Sequence, residues 1–399
     1  MEKYANIILR KCSIKGIIYR WACLKLIRVC NFLYSLFMSP LKIDDVHNIL
    51  LVNFNQIGDA ILLTPTINEV SKIFHGADIL ILTTPAGKTA LEGCPNVKEI
   101  MVFDAKTTNQ IKFIHKLRMK KQDLVIDFQL TFFSARMLLV SYLSGAKYRV
   151  AFKREGFSNF LPTHEFQFPL YKHMAECYFE MVSSINPNKI SSERKYHVPI
   201  KFSDSQWAEQ VLSKENSGER SLLIAIHPCT KNKLHLWTGK GFAEVANYLV
   251  DKHNARIVFT GMEDEKEIID EIIPKLKKLP IIIAQNDFGK FCAVIKQVNL
   301  LISVDTSAVH IAVATHTPVI AIYGPTVREY WAPLNNPLQR IVRIHNPACA
   351  GRCRIIEMNR IIPTLEFCTE DDAICITRIN SSDVINAVEE MLGNINKCT

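Results

Sequence analysis

Asp305, Thr306, Ser307 and His310 stand together where an apolar run, Leu300 to Val304, gives way to a stretch of helical spacing, and their types suit anion chemistry. The first amide N–H groups of a helix lack intrahelical partners and sit at the positive end of its dipole, so a phosphate placed there meets ready donors. Asp, Thr and Ser are also the residues that cap helix N-termini, and most such triplets do only that. A second strand pattern, Pro318 to Tyr323, ends close behind in Gly324-Pro325-Thr326. The same grammar occurs far upstream, between Asn48 and Val70: a buried-strand pattern, Ile49 to Asn53, turns at Gly58-Asp59 into helical spacing from Ala60 onward. Glycine allows close backbone approach, and Asp59 falls at the helix start, where a carboxylate can cap the helix, act as a base, or do both. Two strand ends of this kind outline a cleft between two α/β domains.

Two further loops follow strand patterns. His227-Pro228-Cys229-Thr230-Lys231-Asn232-Lys233 comes after Leu222 to His227, and it reads either as a phosphate loop or as a solvated basic one. Gly261-Met262-Glu263-Asp264-Glu265 comes after Arg256 to Gly261. A carboxylate at a strand's C-terminal end is a common holder of ribose hydroxyls, whereas Glu263 and Asp264 serve equally as first-turn acids favoured by the dipole. Cys349, Cys353, Cys368 and Cys375 cluster near the C-terminus without a C-x-x-C half, so buried thiols are expected there rather than a zinc site. No G-x-G-x-x-G follows the first strand and no G-x-x-x-x-G-K-[ST] occurs, which disfavours a nicotinamide cofactor and a P-loop nucleotide site.

Alternating strand and helix patterns must position these residues, as in parallel sheets flanked by helices. Strands are expected at Ile49–Asn53, Asp78–Thr83, Glu99–Phe103, Leu124–Phe128 and Arg149–Phe152, with helices at Leu62–Phe74, Ala86–Glu92, Phe132–Leu143 and near His173–Ile185. Phe157 to Phe168 reads as loop, and Asn186 to Lys195 as an interdomain linker. Beyond it the expected order is strand Leu222–His227, helix Phe242–Asp251, strand Arg256–Gly261, helix Glu263–Leu276, strand Ile281–Ala284 and helix Phe288–Gln297. The last helix runs from Ser382 to Leu392, with Gly393 as its stop. The division is an extension over residues 1–46, a first domain over 47–190, a second over 191–380, and a C-terminal helix and tail over 381–399.

A chain of 399 residues, 48% hydrophobic and 22% charged, can bury two cores. Its net charge of +9 suits an anionic substrate or membrane surface, and no recognition-helix or aromatic-basic motif points to nucleic acid. Twelve cysteines without a signal peptide read as reduced cytoplasmic thiols. Residues 1–40 interleave seven Lys and Arg with Trp21, Phe32, Phe37 and other apolar residues, and their uncharged run, Val29 to Leu41, is too short to span a bilayer. They read as a surface anchor on anionic lipid or as a solvated helix packed on the first domain.

Two stretches carry a family resemblance. The first is N-x-x-x-I-G-D-A-I-L-L-T-P-T, Asn53 to Thr66. The second is V-D-T-S-A-V-H-I-A-V-A, Val304 to Ala314, with P-V-I-A-I-Y-G-P-T, Pro318 to Thr326. In this order and at this separation, the chain resembles glycosyltransferase family 9, which contains the bacterial lipopolysaccharide heptosyltransferases, over about residues 47 to 392. The resemblance implies the GT-B fold, two facing Rossmann-like domains with parallel sheets and the active site in the cleft between them. It implies an inverting, metal-independent transfer of a heptose from a nucleotide-diphosphate sugar, in the ADP form, to a lipopolysaccharide core or related surface-glycan acceptor. No cofactor is expected. The partners are the nucleotide sugar, a lipid-linked glycan acceptor and an anionic membrane surface, with the protein peripheral on the cytoplasmic face of the inner membrane. The resemblance places the catalytic aspartate at Asp59 and donor contacts at Thr230, Glu265, Asp305, Thr306, Ser307 and His310; Lys233 joins them as a candidate donor contact on charge rather than on the family's spacing.

Two positions depart from the family pattern. Ser307 stands where glycine is common, and His235 occupies the lysine of the family's Lys-x-Trp before Trp237. Lys233 is expected to neutralise phosphate, because a permanent cation suits a diphosphate better than an imidazole. Asp305, an acid beside an anion, is expected to act structurally or on a hydroxyl. Acidic pairs occur at Asp44-Asp45 and Asp371-Asp372, neither of them at a strand end facing the cleft. The alternatives are a nucleotide-sugar epimerase of similar fold and a non-catalytic nucleotide-sugar-binding protein; joint retention of Asp59 and the phosphate residues speaks against the latter.

Overall fold

The computed structural model describes residues 41–54, 56–104, 107–129, 142–153, 162–169, 172–187, 194–213, 222–326, 328–333, 337–344 and 373–398. The extension over 1–40, nearly all of the helix expected at Phe132–Leu143, the pair Asp371-Asp372, and Cys349, Cys353 and Cys368 lie outside them.

The described strands form two six-stranded sheets, parallel throughout. The first holds β1 (Asn48–Asn53), β2 (Asp78–Thr83), β3 (Glu99–Val102), β4 (Leu124–Asp127), β5 (Tyr148–Phe152) and β6 (His164–Phe166), in the order β3-β2-β1-β4-β5-β6. The second holds β7 (Leu223–His227), β8 (Arg256–Gly261), β9 (Ile281–Ala284), β10 (Leu300–Val304), β11 (Val319–Ile322) and β12 (Gln339–Val342), in the order β12-β11-β10-β7-β8-β9. Counted from its own first strand, each sheet has the same doubly wound order. Ligands of such sheets bind beyond the strands' carboxyl ends where the order reverses, here between β1 and β4 and between β7 and β10.

Parallel strands are covered on both faces, so both sets of alternating side chains are apolar. Ile49 and Leu51 of β1 enter a cluster shared with the second sheet, and Leu50 and Val52 enter a separate layer on the other face. In the second sheet Ala225 and Leu301 join the shared cluster, while Ile224, Ile226, Leu300 and Ile302 face outward into a third. The longer helices around the sheets are α1 (Ile57–Ile73), α2 (Pro85–Leu91), α3 (Gln110–Arg118), α4 (Met174–Ser183), α5 (Phe202–Ser213), α6 (Gly239–His253), α7 (Phe288–Gln297), α8 (Ser307–Thr315) and α9 (Ser381–Cys398). None of the described helices is long and apolar enough to cross a membrane.

Several elements differ from the sequence expectation. The stretch expected as loop contains β6, a three-residue edge strand whose short run offers little periodicity. The helices α3 and α5 and the strand β12 were not anticipated. The helix expected over Glu263–Leu276 is broken into short turns, because Pro274 lacks an N–H to continue it. Gly393 does not end α9; its φ is not positive and no neighbour crowds it, so the helix passes through at the ordinary glycine cost of about 1 kcal/mol. The connecting segment is tied to the first domain, with the Asn68 side chain donating to the Lys195 carbonyl and the His197 N–H to Thr64 Oγ1. Beyond Lys201 the chain enters α5, which packs on α7 of the second sheet.

Candidate active site

The edge of β1 leads into α1 through a carboxylate cap. The Gln56 N–H donates to Asp59 Oδ2 at 3.2 Å. Capping is therefore part of what Asp59 does. Its other oxygen, Oδ1, is shielded from solvent and has no hydrogen-bond partner among the described residues. Burial disfavours the charged form and lifts the carboxyl pKa to about 7, with the N–H bonds from Gln56 and Asp59 pulling against it. A carboxylate tuned to neutrality with one open oxygen is suited to accept a proton.

The second domain presents its loops at the matching edge. Thr306 caps α8, its hydroxyl accepting from the Ala308 N–H at 3.3 Å, and Ser307 opens the helix. The cap occupies the Ala308 N–H, and the Val309 N–H donates to the Thr306 carbonyl at 3.2 Å, so an anion placed here would meet the Ser307 hydroxyl and the positive end of the helix dipole. Thr230 Oγ1 accepts from the Asn232 N–H at 3.2 Å and Asn232 Oδ1 from the Leu234 N–H at 3.0 Å, which curls the loop after β7 into a short turn over Lys233–His235. Lys233 is exposed on that turn, without an ion-pair partner among the described residues. Trp237 fastens the loop's far end, its buried indole N–H donating to the Ile379 carbonyl at 2.9 Å.

His235 points elsewhere. Its Nδ1 lies 3.4 Å from the Asp305 carbonyl and 3.7 Å from the Asp305 carboxylate, and its Nε2 lies 3.4 Å from Thr326 Oγ1. The Asp305 carboxylate also accepts from the Thr326 hydroxyl, and its charge adds to burial in holding the Tyr323 phenol well above its ordinary pKa. Asp305, His235, Thr326 and Tyr323 thus lock three strand-end loops together. On the neighbouring strand, Glu265 Oε2 accepts from the Met262 N–H at 3.1 Å, a cap that leaves Oε1 without a partner among the described residues. Gly261 lets this loop close on the previous one: a Cβ there would come 2.9 Å from Cys229 Sγ.

Beyond the shared apolar cluster, the two halves also meet beside these loops, where α1 packs on α8. A Cβ on Gly58 would lie 2.7 Å from Cδ2 and 3.2 Å from Nε2 of His310, so glycine at 58 makes room for the histidine of α8. Asp59 and His310 are thereby placed on adjoining helix ends of different domains. Burial holds His310 neutral, with a pKa near 3, and nearby His173 adds to the shift. His173 is itself buried at the N-cap of α4, its Nδ1 accepting from the Ala175 N–H at 3.3 Å, and burial pulls its pKa to about 4. Sequence reasoning missed His173, Tyr323 and Thr326 as site supports. Thr326 and Tyr323 lay inside a quoted motif, whereas nothing around His173 in the sequence marked it.

If this loop carries the nucleotide diphosphate that the family resemblance implies, Lys233→Ala should weaken ADP binding about tenfold or more, the scale of a lost hydrogen bond to a charged group, and flatten its salt dependence. His235→Ala should weaken binding less and leave the salt dependence intact. Calorimetry at two ionic strengths decides; a flattened slope in the His235 variant would transfer the cationic role to the histidine.

The sequence profile of glycosyltransferase family 9 (heptosyltransferase) matches residues 110–357. The lipopolysaccharide core heptosyltransferase OpsX of Haemophilus influenzae is 24% identical over 317 residues, which cover 77% of this chain and 87% of that protein. A family 9 glycosyl transferase from Veillonella parvula superposes with a TM-score of 0.71 at 20% identity, covering 89% of this chain and 99% of the other. The ADP-heptose lps heptosyltransferase II of E. coli superposes with a TM-score of 0.68 at 17% identity, covering 88% and 100%. These likenesses show that the architecture is that of GT-B heptosyltransferases.

Proposed function

Because the chain belongs to glycosyltransferase family 9, the heptosyltransferases, we propose that it moves heptose from ADP-heptose to a lipopolysaccharide core or related glycan acceptor, with inversion at the anomeric carbon. ADP-heptose is the donor in the name of the E. coli relative, and lipopolysaccharide core belongs to the name of the Haemophilus one. The observation that carries the reading is Asp59, a carboxyl with a pKa of about 7 on the helix end that abuts His310 through Gly58.

In this reading the acceptor hydroxyl loses its proton to Asp59 as its oxygen attacks the anomeric carbon. The bond from that carbon to the β-phosphate oxygen breaks, and ADP leaves with the electron pair. The developing charge on the diphosphate meets the N-terminus of α8, the Thr306 and Ser307 groups and Lys233. His310, neutral at physiological pH, contributes a hydrogen bond rather than a charge. Glu265 stands where a ribose hydroxyl would be held, and Asp305 organises the loops around the nucleotide.

Incubating the protein with ADP-heptose and a truncated lipopolysaccharide core, with product mass and anomeric configuration read by mass spectrometry and NMR, tests the proposal. One added heptose of inverted configuration is expected, undiminished in excess EDTA because helix N-termini and Lys233 carry the diphosphate charge. Isomerised free donor without an acceptor product would favour the epimerase, and a requirement for added Mg²⁺ would overturn metal independence.

The acceptor reading also places the protein at an anionic membrane surface on the cytoplasmic side, and residues 1–40 supply a candidate anchor. Deleting them should release a folded protein from anionic vesicles, with binding of the full chain weakening as salt rises. Equal sedimentation of both forms would refute the anchor.

A further inference from the structure

A second surface bears the marks of a lipid contact, and it lies within the described fold. In α3 the residues Phe113 and Leu117 turn inward and join the apolar layer on the outer face of the first sheet. The opposite line of the helix, at the i, i+4, i+8 spacing of one face, is Ile111, His115 and Met119. Ile111 is 83% exposed and Met119 67% exposed. A helix that merely covers a sheet turns polar groups to water along this line; α3 turns two large apolar side chains outward instead.

Cations frame that line. Lys112 and Lys116 lie on one side and Arg118 on the other, with Lys121 just past the helix end, and all four are exposed. No carboxylate of the described residues lies within ion-pair distance of these four, and α3 itself contains no acid. Lys120, which faces the sheet side, is instead paired with Glu99 at 2.5 Å. Another exposed apolar spot near lysines, Leu279, is a single side chain outside any helix, and of its neighbours Lys277 is paired with Asp251 and Lys275 donates to the Glu271 carbonyl, which leaves Lys278. Apolar side chains on the outward line and uncompensated cations along its flanks are what an interfacial helix needs, the first to enter the headgroup boundary and the second to meet anionic headgroups.

We propose that the Ile111–His115–Met119 face of α3, flanked by Lys112, Lys116 and Arg118, docks the first domain onto an anionic lipid surface. The contact is separate from residues 1–40 and would set the Asp59-bearing domain against the bilayer.

The test uses the full chain with vesicles of phosphatidylcholine, alone or containing phosphatidylglycerol, and with neither donor nor acceptor present, so its result stands apart from whether heptose is transferred. Each cation near such a surface contributes about fivefold in partitioning, so Lys112→Gln with Lys116→Gln should lower binding to anionic vesicles about 25-fold. Ile111→Ser with Met119→Ser should lower it further at high salt, where only the apolar part remains. Ile111→Trp gives a local readout: its emission should shift to the blue on addition of anionic vesicles beyond any change in the unsubstituted protein. All these side chains are exposed, and circular dichroism of each variant should match the parent. Parental binding by both double variants, absence of the blue shift, or equal binding to phosphatidylcholine alone would overturn the proposal. So would a concentration-dependent dimer that the same variants abolish without changing vesicle binding, which would give the face to a second copy of the chain.

Discussion

Asp59→Asn is expected to lower the transfer rate about 10²–10⁴-fold, the usual range for a positioned general base, while ADP affinity stays near the parental value. Asparagine keeps an oxygen for the Gln56 N–H, so the cap on α1 survives and only proton acceptance is lost. The parental pH profile carries the same signature. With its pKa near 7, Asp59 is protonated in mild acid, so kcat/KM should fall as pH drops through about 7. Stability runs the other way. The folded pKa lies above the ordinary carboxylate value, so the carboxyl's stabilising effect is complete below about pH 4 and is lost as pH rises through about 7. The asparagine variant escapes that loss, up to about 4 kcal/mol, and should melt above the parent at pH 8 but not at pH 4. Near-parental turnover, or a flat profile between pH 6 and 8, would remove Asp59 as the base.

The largest structural effect is expected at Trp237. Its ring is buried, meets Phe242 edge-on at 4.8 Å and fills the space against Gly241, where a Cβ would come 2.5 Å from the indole. Trp237→Ala removes that packing and leaves the Ile379 carbonyl without its donor, at a cost of about 3–5 kcal/mol. Since domains are stable by only about 5–15 kcal/mol, the second domain should lose a large share of its stability. Calorimetric melting should show a drop of roughly 6–20 °C. ADP affinity should fall as well, because the loop carrying Lys233 is fastened at this end. A melting temperature within a degree or two of the parent would show that the loop is held by something else.

Much of this arrangement is legible in the residues. The strands Asp78–Thr83, Arg256–Gly261, Ile281–Ala284 and Leu300–Val304 announce themselves as short apolar runs between turn signals, and their observed limits coincide with the expected ones. Asp59 and the 305–310 stretch were found because motif and strand end coincide. What stayed hidden depends on three-dimensional neighbours. His235 stands where the family pattern has a lysine, yet it turns toward Asp305 and Thr326, a direction fixed only when β7, β10 and β11 lie side by side. His173 is silent in the sequence because its neighbour His310 belongs to the other domain. The helix α3 escaped notice because a nine-residue element with apolar residues on opposite sides shows no single stripe.

The contact between Gly58 and His310 bears on how such a chain can change over evolutionary time. Each half has its own sheet and its own strand order, which suggests parts that can be exchanged at will. The 2.7 Å approach denies that freedom. A side chain at 58 is crowded out by a residue encoded in the other half, so the glycine and the histidine are coupled across about 250 residues of sequence. Recombination that grafts a foreign first half onto this second half must bring a glycine to that spot or shift the histidine, so the halves are matched at this contact as well as through their shared core.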